Sequence, residues 1–176
     1  MHPLPIFLDI EASSLGSRSY PIEVAWNTPD GAIEAHLISP ASIARWTDWS
    51  VQAEQLHGIS RGLLHQEGKT PSWVGHRLNQ QLAGHVVYSD DPEYDSMWLA
   101  ELFAVSYSPG PAFEVQHVDE LLIRLLCPDG GRVPGWERLE ALKKRARHAV
   151  GRQHRAAWDV QYLVTLYKMV QASAQH

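Results

Sequence analysis

The sequence predicts an α/β fold for residues 1–176, with a five-stranded mixed sheet covered by helices on both faces. A chain of this length fits a single domain. Three observations carry the prediction: short apolar runs dominate the first half, segments with helical spacing dominate the second, and an Asp-Gly turn joins two early strands. Strands before helices, with an early antiparallel hairpin, favour a mixed sheet that helices cover.

The predicted strands are short apolar runs bounded by turn residues. The first run stops at the Ser- and Gly-containing segment 13–16, as expected of a buried strand. The second and third flank Asp30-Gly31, a dipeptide that favours a hairpin turn. The five predicted strands span residues 6–11, 21–27, 32–39, 85–88 and 112–118.

The predicted helices are segments whose apolar residues recur every three or four positions. Asp91-Pro92 adds a capping acid and a proline, which is typical of a helix start. The Gly-rich segment 129–135 separates the helices of the last third of the chain. The five predicted helices span residues 71–84, 92–103, 119–126, 137–150 and 156–170.

Cysteine and apolar-run content bear on the cellular compartment. The single cysteine, Cys127, excludes an intramolecular disulfide and a Cys-rich zinc site, which points to a reducing cytosol. The N-terminal apolar run ends at Asp9, too early for a signal peptide, and no later stretch approaches the ~20 apolar residues of a membrane span. We therefore expect a soluble, cytoplasmic protein without a membrane partner.

The formal net charge of −5 conceals a basic segment near the C-terminus. Seven of the fifteen Lys and Arg residues lie there: Arg138, Lys143, Lys144, Arg145, Arg147, Arg152 and Arg155. A carboxylate cluster that binds cations would also account for part of the negative charge. Net charge alone therefore does not exclude a nucleic-acid partner.

Asp9 and Glu11 lie two positions apart on the first predicted strand, so their side chains project from the same face. A strand this apolar is expected at the centre of a sheet, where unpaired acids are costly. Divalent cations held by the carboxylate oxygens would neutralise them. Two solvated acids at a strand end explain the pair equally well, because Asp-x-Glu is a weak motif.

His154 and Asp159 form a second candidate pair. On one continuous helix, residues five apart would lie ~140° apart around the axis. The two side chains converge only if His154 precedes the helix and Asp159 lies in its first turns. A surface His beside an acid favoured by the helix dipole is the alternative.

Asp90, Asp91 and Asp95 compete for one further acidic position after the strand 85–88. Asp91 directly precedes Pro92 and is better explained as a helix N-cap. An acid in the first helical turn, such as Asp95, is also explained by the helix dipole alone.

Taken in order, these segments resemble the DEDDh, or DnaQ-like, 3′–5′ exonucleases of the ribonuclease-H-like superfamily. The resemblance covers residues 6–163. The matching elements are Asp9-Ile10-Glu11 with the following small residues, Ile22-Glu23-Val24-Ala25, His57-Gly58-Ile59-Ser60, Tyr94-Asp95, and His154 with Ala156 and Asp159. The resemblance implies a ribonuclease-H-like fold, and its aromatic-Asp motif selects Asp95 as the third acid.

The resemblance also implies a function and a cofactor. Four acids would hold two Mg²⁺ or Mn²⁺ ions: Asp9, Glu11, Asp95 and Asp159. His154 would act as the general base for the attacking water, a task that suits an imidazole near neutral pH. The implied substrate is a single-stranded 3′ end of DNA or RNA, and the implied product is a nucleoside 5′-monophosphate. Several relatives in the family dimerise, so a homodimer is compatible with the resemblance.

Weaker predictions concern substrate binding. By resemblance, Leu15 and His57 would contact the terminal nucleotide. Arg152 and Arg155 belong to the basic segment next to His154, where a phosphate backbone would approach. Trp46 and Trp49 would stack on bases or, as aromatic residues more often do, pack in the core or at an interface.

The sequence departs from the family pattern at three places, and two other functions compete. Ala12-Ser13-Ser14 replaces frequent threonines, the usual Asn before the aromatic-Asp pair is missing, and the bulky Trp158 precedes Asp159. These departures affect substrate preference, since none removes a predicted ligand.

The first competing function is a catalytically silent module that binds nucleic acid or protein on the same fold. The second is a zinc hydrolase, although the ten His residues show no His-Glu-x-x-His spacing.

Overall fold

A computed structural model describes residues 3–127, 132–151 and 154–174. The strands within these residues are β1 (Ile6–Ala12), β2 (Pro21–Asn27), β3 (Ile33–Leu37), β4 (Val86–Ser89) and β5 (Glu114–His117). The helices are α1 (Val51–His57), α2 (Arg61–Glu67), α3 (Pro71–Leu82), α4 (Pro92–Val105), α5 (Val118–Leu126), α6 (Arg132–Val150) and α7 (Ala156–Ala174). Over these three ranges, every helix is too short or too polar to cross a lipid bilayer.

The five strands form one sheet in the order β3-β2-β1-β4-β5, which places β1 at its centre. Strand β2 runs antiparallel to both β1 and β3, whereas β4 runs parallel to both β1 and β5. The predicted five-stranded mixed sheet is therefore confirmed, as is the central position of the strand that carries Asp9 and Glu11.

The turn between β2 and β3 depends on the predicted Asp-Gly pair. Gly31 has a φ of 92°, a left-handed conformation that glycine adopts without steric cost. The Thr28 N–H donates to the Ala32 carbonyl at 2.8 Å and closes the turn. The hairpin pairs β2 with β3, and the other edge of β2 pairs with β1.

Alternate residues of β1 enter two different cores. Leu8 and Ile10 pack into a core with residues of α3 and α4, whereas Phe7 packs with residues of α5, α6 and α7. Helices therefore cover both faces of the sheet, as predicted. Phe7, Asp9 and Glu11 are alternate residues of β1, so the side chains of the two acids point to the face that α7 covers.

Apolar spacing does not predict the two short helices α1 and α2. Each has seven residues, too few for a periodic pattern to stand out. Their starts are fixed instead by capping serines: the Ser50 hydroxyl accepts from the Ala53 N–H, and the Ser60 hydroxyl accepts from the Leu63 N–H.

Helix α6 begins at Arg132, earlier than the predicted start at residue 137. A proline in the first turn, here Pro134, costs no intrahelical hydrogen bond. A Cβ on Gly135 would lie 2.6 Å from the Cys127 sulfur, so only glycine lets this turn approach the end of α5. The Pro-Gly pair is therefore part of the helix start.

Candidate active site

Three carboxylates converge on the face of the sheet that α7 covers. Carboxylate oxygens of Asp9, Glu11 and Asp159 lie within 4.8 Å of one another. Asp9 and Glu11 come from the central strand, and Asp159 comes from the first turn of α7. The chain thus brings together acids that are about 150 positions apart in sequence.

Asp95 approaches the same place from the start of α4. Its side chain is buried and accepts a hydrogen bond from the Ser89 hydroxyl at the end of β4. Burial raises the pKa of this carboxylate, whereas the Ser89 hydroxyl and the backbone of Ile10 on β1 lower it. These contacts hold Asp95 beside Asp9, and among the neighbouring acids Asp95 makes the largest contribution to the raised pKa of Asp9.

Asp91 and Asp90 occupy different positions from Asp95. Asp91 is the N-cap of α4, as predicted, and its carboxylate accepts from the Tyr94 N–H. Asp90 is exposed to solvent at the edge of the site, near enough to Asp159 to raise its pKa. Of the three, Asp95 is the one that is buried.

Burial and mutual repulsion raise the pKa values of the converging acids. Burial followed by Asp95, Asp159 and Glu11 raises the pKa of Asp9 well above its usual range. Burial, Asp159 and Glu23 raise the pKa of Glu11 to about 7, although Arg155 opposes them. Burial and Asp90 raise the pKa of Asp159 to about 6, against the effect of Arg147. The cluster therefore carries more negative charge than its neighbours compensate, as expected of a cation site.

His154 lies immediately before α7 and is partly buried. Helix α7 begins at Ala156, so His154 precedes the helix and Asp159 lies in its first turn. This arrangement meets the condition under which the two side chains can converge. Both residues line one groove with a volume of about 630 Å³. The groove is also lined by Asp90, Lys144, Arg147, His148, Gly151, Trp158 and Tyr162.

Basic side chains of α6 form one wall of this groove. Lys144, Arg147 and His148 line it and are exposed to solvent. The Arg147 guanidinium lies 5.5 Å from the centre of the Tyr162 ring on α7, within the range of a cation–π contact. We call Lys144, Arg147 and His148 the basic wall. Asp90 and Asp159 line the same groove.

The predicted substrate-binding residues are found in different environments. Leu15 follows β1 and is 73% exposed. His57 is 5% exposed, and its Nδ1 accepts from the Ile59 N–H at 3.0 Å, while its Nε2 is buried without a hydrogen-bond partner among the described residues. The Arg155 guanidinium is engaged by the Glu23 carboxylate, and Arg152 lies outside the described residues.

The two tryptophans that were weighed as stacking residues are both packed against protein. Trp46 is buried and stacks on Tyr20, with ring centres 4.9 Å apart. Trp49 is partly buried, and its Nε1 donates to Glu54 at 2.6 Å. The packing role is therefore the one that the structure supports.

Motif reasoning missed one component of the site, the ion pair between Glu23 and Arg155. The signal in the sequence is an acid in the middle of the apolar segment Ile22-Glu23-Val24-Ala25. A buried acid needs a partner, but the sequence does not say which base supplies it.

Comparison with solved structures identifies the fold. Exonuclease I from Methylocaldum szegediense is similar over 96% of this chain and 41% of that chain, with a TM-score of 0.65 and 18% identity. E. coli exonuclease I in complex with a dA16 oligonucleotide is similar over 96% of this chain and 41% of that chain, with a TM-score of 0.64 and 17% identity. The zinc-bound E. coli exonuclease I–ssDNA complex matches over 97% of this chain and 40% of that chain, with a TM-score of 0.60 and 17% identity.

The predicted ribonuclease-H-like fold is therefore confirmed. In particular, the fold is the one shared with exonuclease I, although this chain spans only about two fifths of the length of those proteins. At the level of sequence, no family model and no curated protein matches the chain.

Proposed function

We propose that this chain is a 3′–5′ exonuclease that depends on divalent cations and removes nucleoside 5′-monophosphates from single-stranded DNA or RNA. The observation that carries the proposal is the convergence of Asp9, Glu11 and Asp159, with His154 in the adjoining groove. The motif resemblance supports the 3′–5′ direction. Neighbouring exonuclease I structures in complex with oligonucleotides support a single-stranded substrate.

The donor set fits Mg²⁺ or Mn²⁺. All three converging ligands are carboxylates, and hard cations of this kind prefer oxygen. Asp9, Glu11, Asp95 and Asp159 would hold two such ions, which also offset the repulsion that raises the pKa of Asp9. Bound there, divalent cations supply Lewis-acid stabilisation of the negative charge that develops on the scissile phosphate.

A zinc hydrolase built on histidines fits this donor set less well. Among the residues that the structure describes, Asp9, Glu11 and Asp159 are the group of three or more potential ligands close enough to share an ion. No histidine belongs to that group.

The chain's own residues would divide the remaining work. The His154 imidazole, which lines the same groove as Asp159, would take the proton from the attacking water. Asp95 lies outside the close group of three carboxylates, and its hydrogen bond from the Ser89 hydroxyl would hold it beside Asp9. The basic wall would contact the phosphates of the strand that enters the groove. Leu15 and His57 would contact the terminal nucleotide.

The test is a nuclease assay on 5′-labelled single-stranded DNA and RNA of several lengths with Mg²⁺, Mn²⁺ or EDTA. We expect a ladder of products that shortens from the 3′ end, release of nucleoside 5′-monophosphates, and no products in EDTA. A 3′-phosphorylated oligonucleotide serves as the control for direction. Absence of cleavage with every substrate and cation would contradict the proposal and favour a silent module that binds nucleic acid or protein.

A further inference from the structure

Glu23 is a buried acid that the proposed reaction does not use. It lies on β2 directly opposite Glu11 of β1, and it is 2% exposed. Ala25 lies two residues further along β2 and packs into the core that contains α7. The Glu23 side chain therefore points to the same face of the sheet. A carboxylate in this position is strongly unfavourable unless it is paired and hydrogen-bonded.

The start of α7 satisfies this carboxylate completely. Arg155 donates from Nε to Glu23 Oε2 at 2.9 Å and from Nη2 to Glu23 Oε1 at 2.5 Å, a two-point contact of the fork type. The Ala156 N–H donates to Glu23 Oε2 at 3.1 Å. This amide belongs to the first turn of α7, where backbone N–H groups have no partner within the helix. Glu23 therefore caps α7 from a neighbouring strand.

The ion pair lies between the two functional residues of the C-terminal motif. Arg155 directly follows His154, and its carbonyl accepts from the N–H groups of Trp158 and Asp159 at 2.7 Å and 3.2 Å. Fixing the Arg155 side chain and the Ala156 amide to the sheet thus fixes the backbone on both sides of the helix start. His154 and Asp159 are then held over the strand that carries Asp9 and Glu11.

Arg155 also bears on the charge of the cluster. It offsets Glu23, and it opposes the burial and acidic neighbours that raise the pKa of Glu11. Its side chain remains 38% exposed, but its donors Nε and Nη2 face Glu23. Because its Nε and Nη2 donate to Glu23, this guanidinium is better placed to hold the start of α7 than to bind a phosphate of the substrate.

We infer that Glu23 and Arg155 are positioning residues, an ion pair that ties the start of α7 to β2 and sets His154 and Asp159 against the carboxylates of β1. This inference rests on the proposed function, since it assigns the pair a role in the same reaction. It predicts that breaking the pair lowers turnover more than it weakens substrate binding.

The first test is a double-mutant cycle with Glu23→Gln and Arg155→Ala, assayed on a 5′-labelled oligo-dT with Mn²⁺. Each single variant should lower kcat roughly 10- to 100-fold, the usual effect of losing a residue that supports a metal site. KM should change less than about twofold. The kcat of the double variant should be no lower than that of the less active single variant, because both changes remove the same contact. Arg155→Lys keeps the charge without the fork, so it should recover part of the loss.

A second bidentate pair in the same protein provides a matched control. Arg77 donates to Glu34 from Nε at 2.6 Å and from Nη2 at 3.0 Å, on the far side of β2 from β1. Glu34→Gln and Arg77→Ala should lower the melting temperature and leave kcat unchanged. If the Glu23 and Arg155 variants behave in that way too, their role is merely structural and the inference is wrong. A rise in KM at constant kcat in Arg155→Ala would instead mean substrate contact, which also overturns it.

A readout without catalysis separates this inference from the proposed function. Mn²⁺ at the carboxylates should broaden the imidazole NMR signals of His154, which are identified by their loss in His154→Ala. The broadening should weaken in Glu23→Gln and Arg155→Ala. Unchanged broadening in both variants overturns the positioning role. Wild-type protein that shows the broadening but cleaves no DNA or RNA end contradicts the exonuclease while the positioning role still stands.

Discussion

The carboxylates on β1 and the residues at the start of α7 reach the candidate site by different means. Asp9 and Glu11 are fixed by the central strand, which is hydrogen-bonded to neighbours on both sides. Asp159 and His154 depend on where α7 begins, and that start is held by the Glu23–Arg155 ion pair. We call these parts the sheet half and the helix half of the site.

The two halves differ in charge as well as in support. The sheet half consists of acids whose pKa values are raised by burial and by one another. The helix half adds a histidine and lies beside the basic wall of α6. Under the proposed function, the difference would correspond to a division of work, in which the sheet half would bind cations and the helix half would take the proton from the attacking water.

The largest effect is expected from the sheet half. Asp9→Asn removes the acid nearest to the centre of the cluster and should lower turnover about 10⁴-fold, or about 5.5 kcal/mol of transition-state stabilisation. The same variant should melt at a higher temperature than wild type in EDTA, because a buried charge among like charges is removed. Steady-state assays and thermal melts measure both changes.

The matched control for Asp9→Asn is Glu120→Gln, an exposed acid on α5. It should alter neither activity nor the melt in EDTA by a measurable amount. Turnover within tenfold of wild type in Asp9→Asn would show that the sheet half is not the metal site.

In the helix half, His154→Ala should lower turnover by ~10²–10⁴, the usual contribution of a general base. Mn²⁺ affinity, measured by calorimetry, should stay within about twofold, since the imidazole is not a member of the close ligand group. The pH profile of activity should lose its acidic limb, because no titrating base remains. His65→Ala, an exposed histidine on α2, is the control. Loss of Mn²⁺ binding in His154→Ala would make this residue a ligand and would erase the proposed division of work.

Asp95 tests whether α4 belongs functionally to the sheet half. Under saturating Mn²⁺, Asp95→Ala should lower turnover about 100-fold, because a buried acid next to Asp9 is lost. Asp91→Ala should cost about 1 kcal/mol of stability as a lost N-cap, with turnover nearly unchanged. If Asp91→Ala alone loses turnover, the assignment of the third acid is wrong.

The basic wall should contribute a smaller, salt-dependent effect. Lys144 and Arg147 line the groove, so replacing either residue with Ala should weaken single-stranded DNA binding several-fold. Each should also reduce the slope of log K against log salt by about 0.7, the value for one phosphate contact on a single strand. Arg145→Ala changes an exposed base of α6 outside the lining of the groove and should leave the slope unchanged. If all three variants have the same slope, the basic wall does not contact the phosphates of the nucleic acid.

Much of the sheet half could be predicted from the sequence. An apolar run that contains two acids at i and i+2 is a local pattern, and the alternation of a strand places both side chains on one face. The Asp-Gly turn predicts the hairpin that pairs β2 with β3. The selection of Asp95 required the family resemblance, and the order of the strands was not predicted, because strand pairing is not a local property.

The helix half was predicted only in part. The family resemblance selects His154 and Asp159, but the contact at this helix start joins Arg155 to an acid 132 positions away. Burial makes a partner for Glu23 necessary, yet seven basic residues in the C-terminal segment compete for that role on sequence alone. Arg155 was therefore predicted as a substrate contact, and that role stays a prediction for a side chain that the structure shows in an ion pair.

The smallest expected effect is a pH dependence of stability without cations. Glu11 and Asp159 have folded-state pKa values of about 7 and about 6, above their ordinary values. Between the ordinary and the raised value, the folded protein binds more protons than the unfolded chain, so the stability from these groups is full at low pH and is lost as pH rises. In EDTA, the contribution of Glu11 should therefore decline up to about pH 7 and that of Asp159 up to about pH 6.

Other groups titrate in the same window, so the measurement is the difference between wild type and variant. Burial lowers the pKa of His57, which gives stability that rises with pH and opposes the trend. Glu11→Gln and Asp159→Asn should each melt higher than wild type at pH 8 in EDTA, by an amount that shrinks towards pH 5. Mn²⁺ at pH 8 should raise the melt of wild type more than that of either variant, because bound cations offset the same repulsion. A larger gain for Glu11→Gln would locate most of the repulsion in the sheet half. Equal melting temperatures of wild type and both variants at pH 8 would mean that the cluster carries no excess charge.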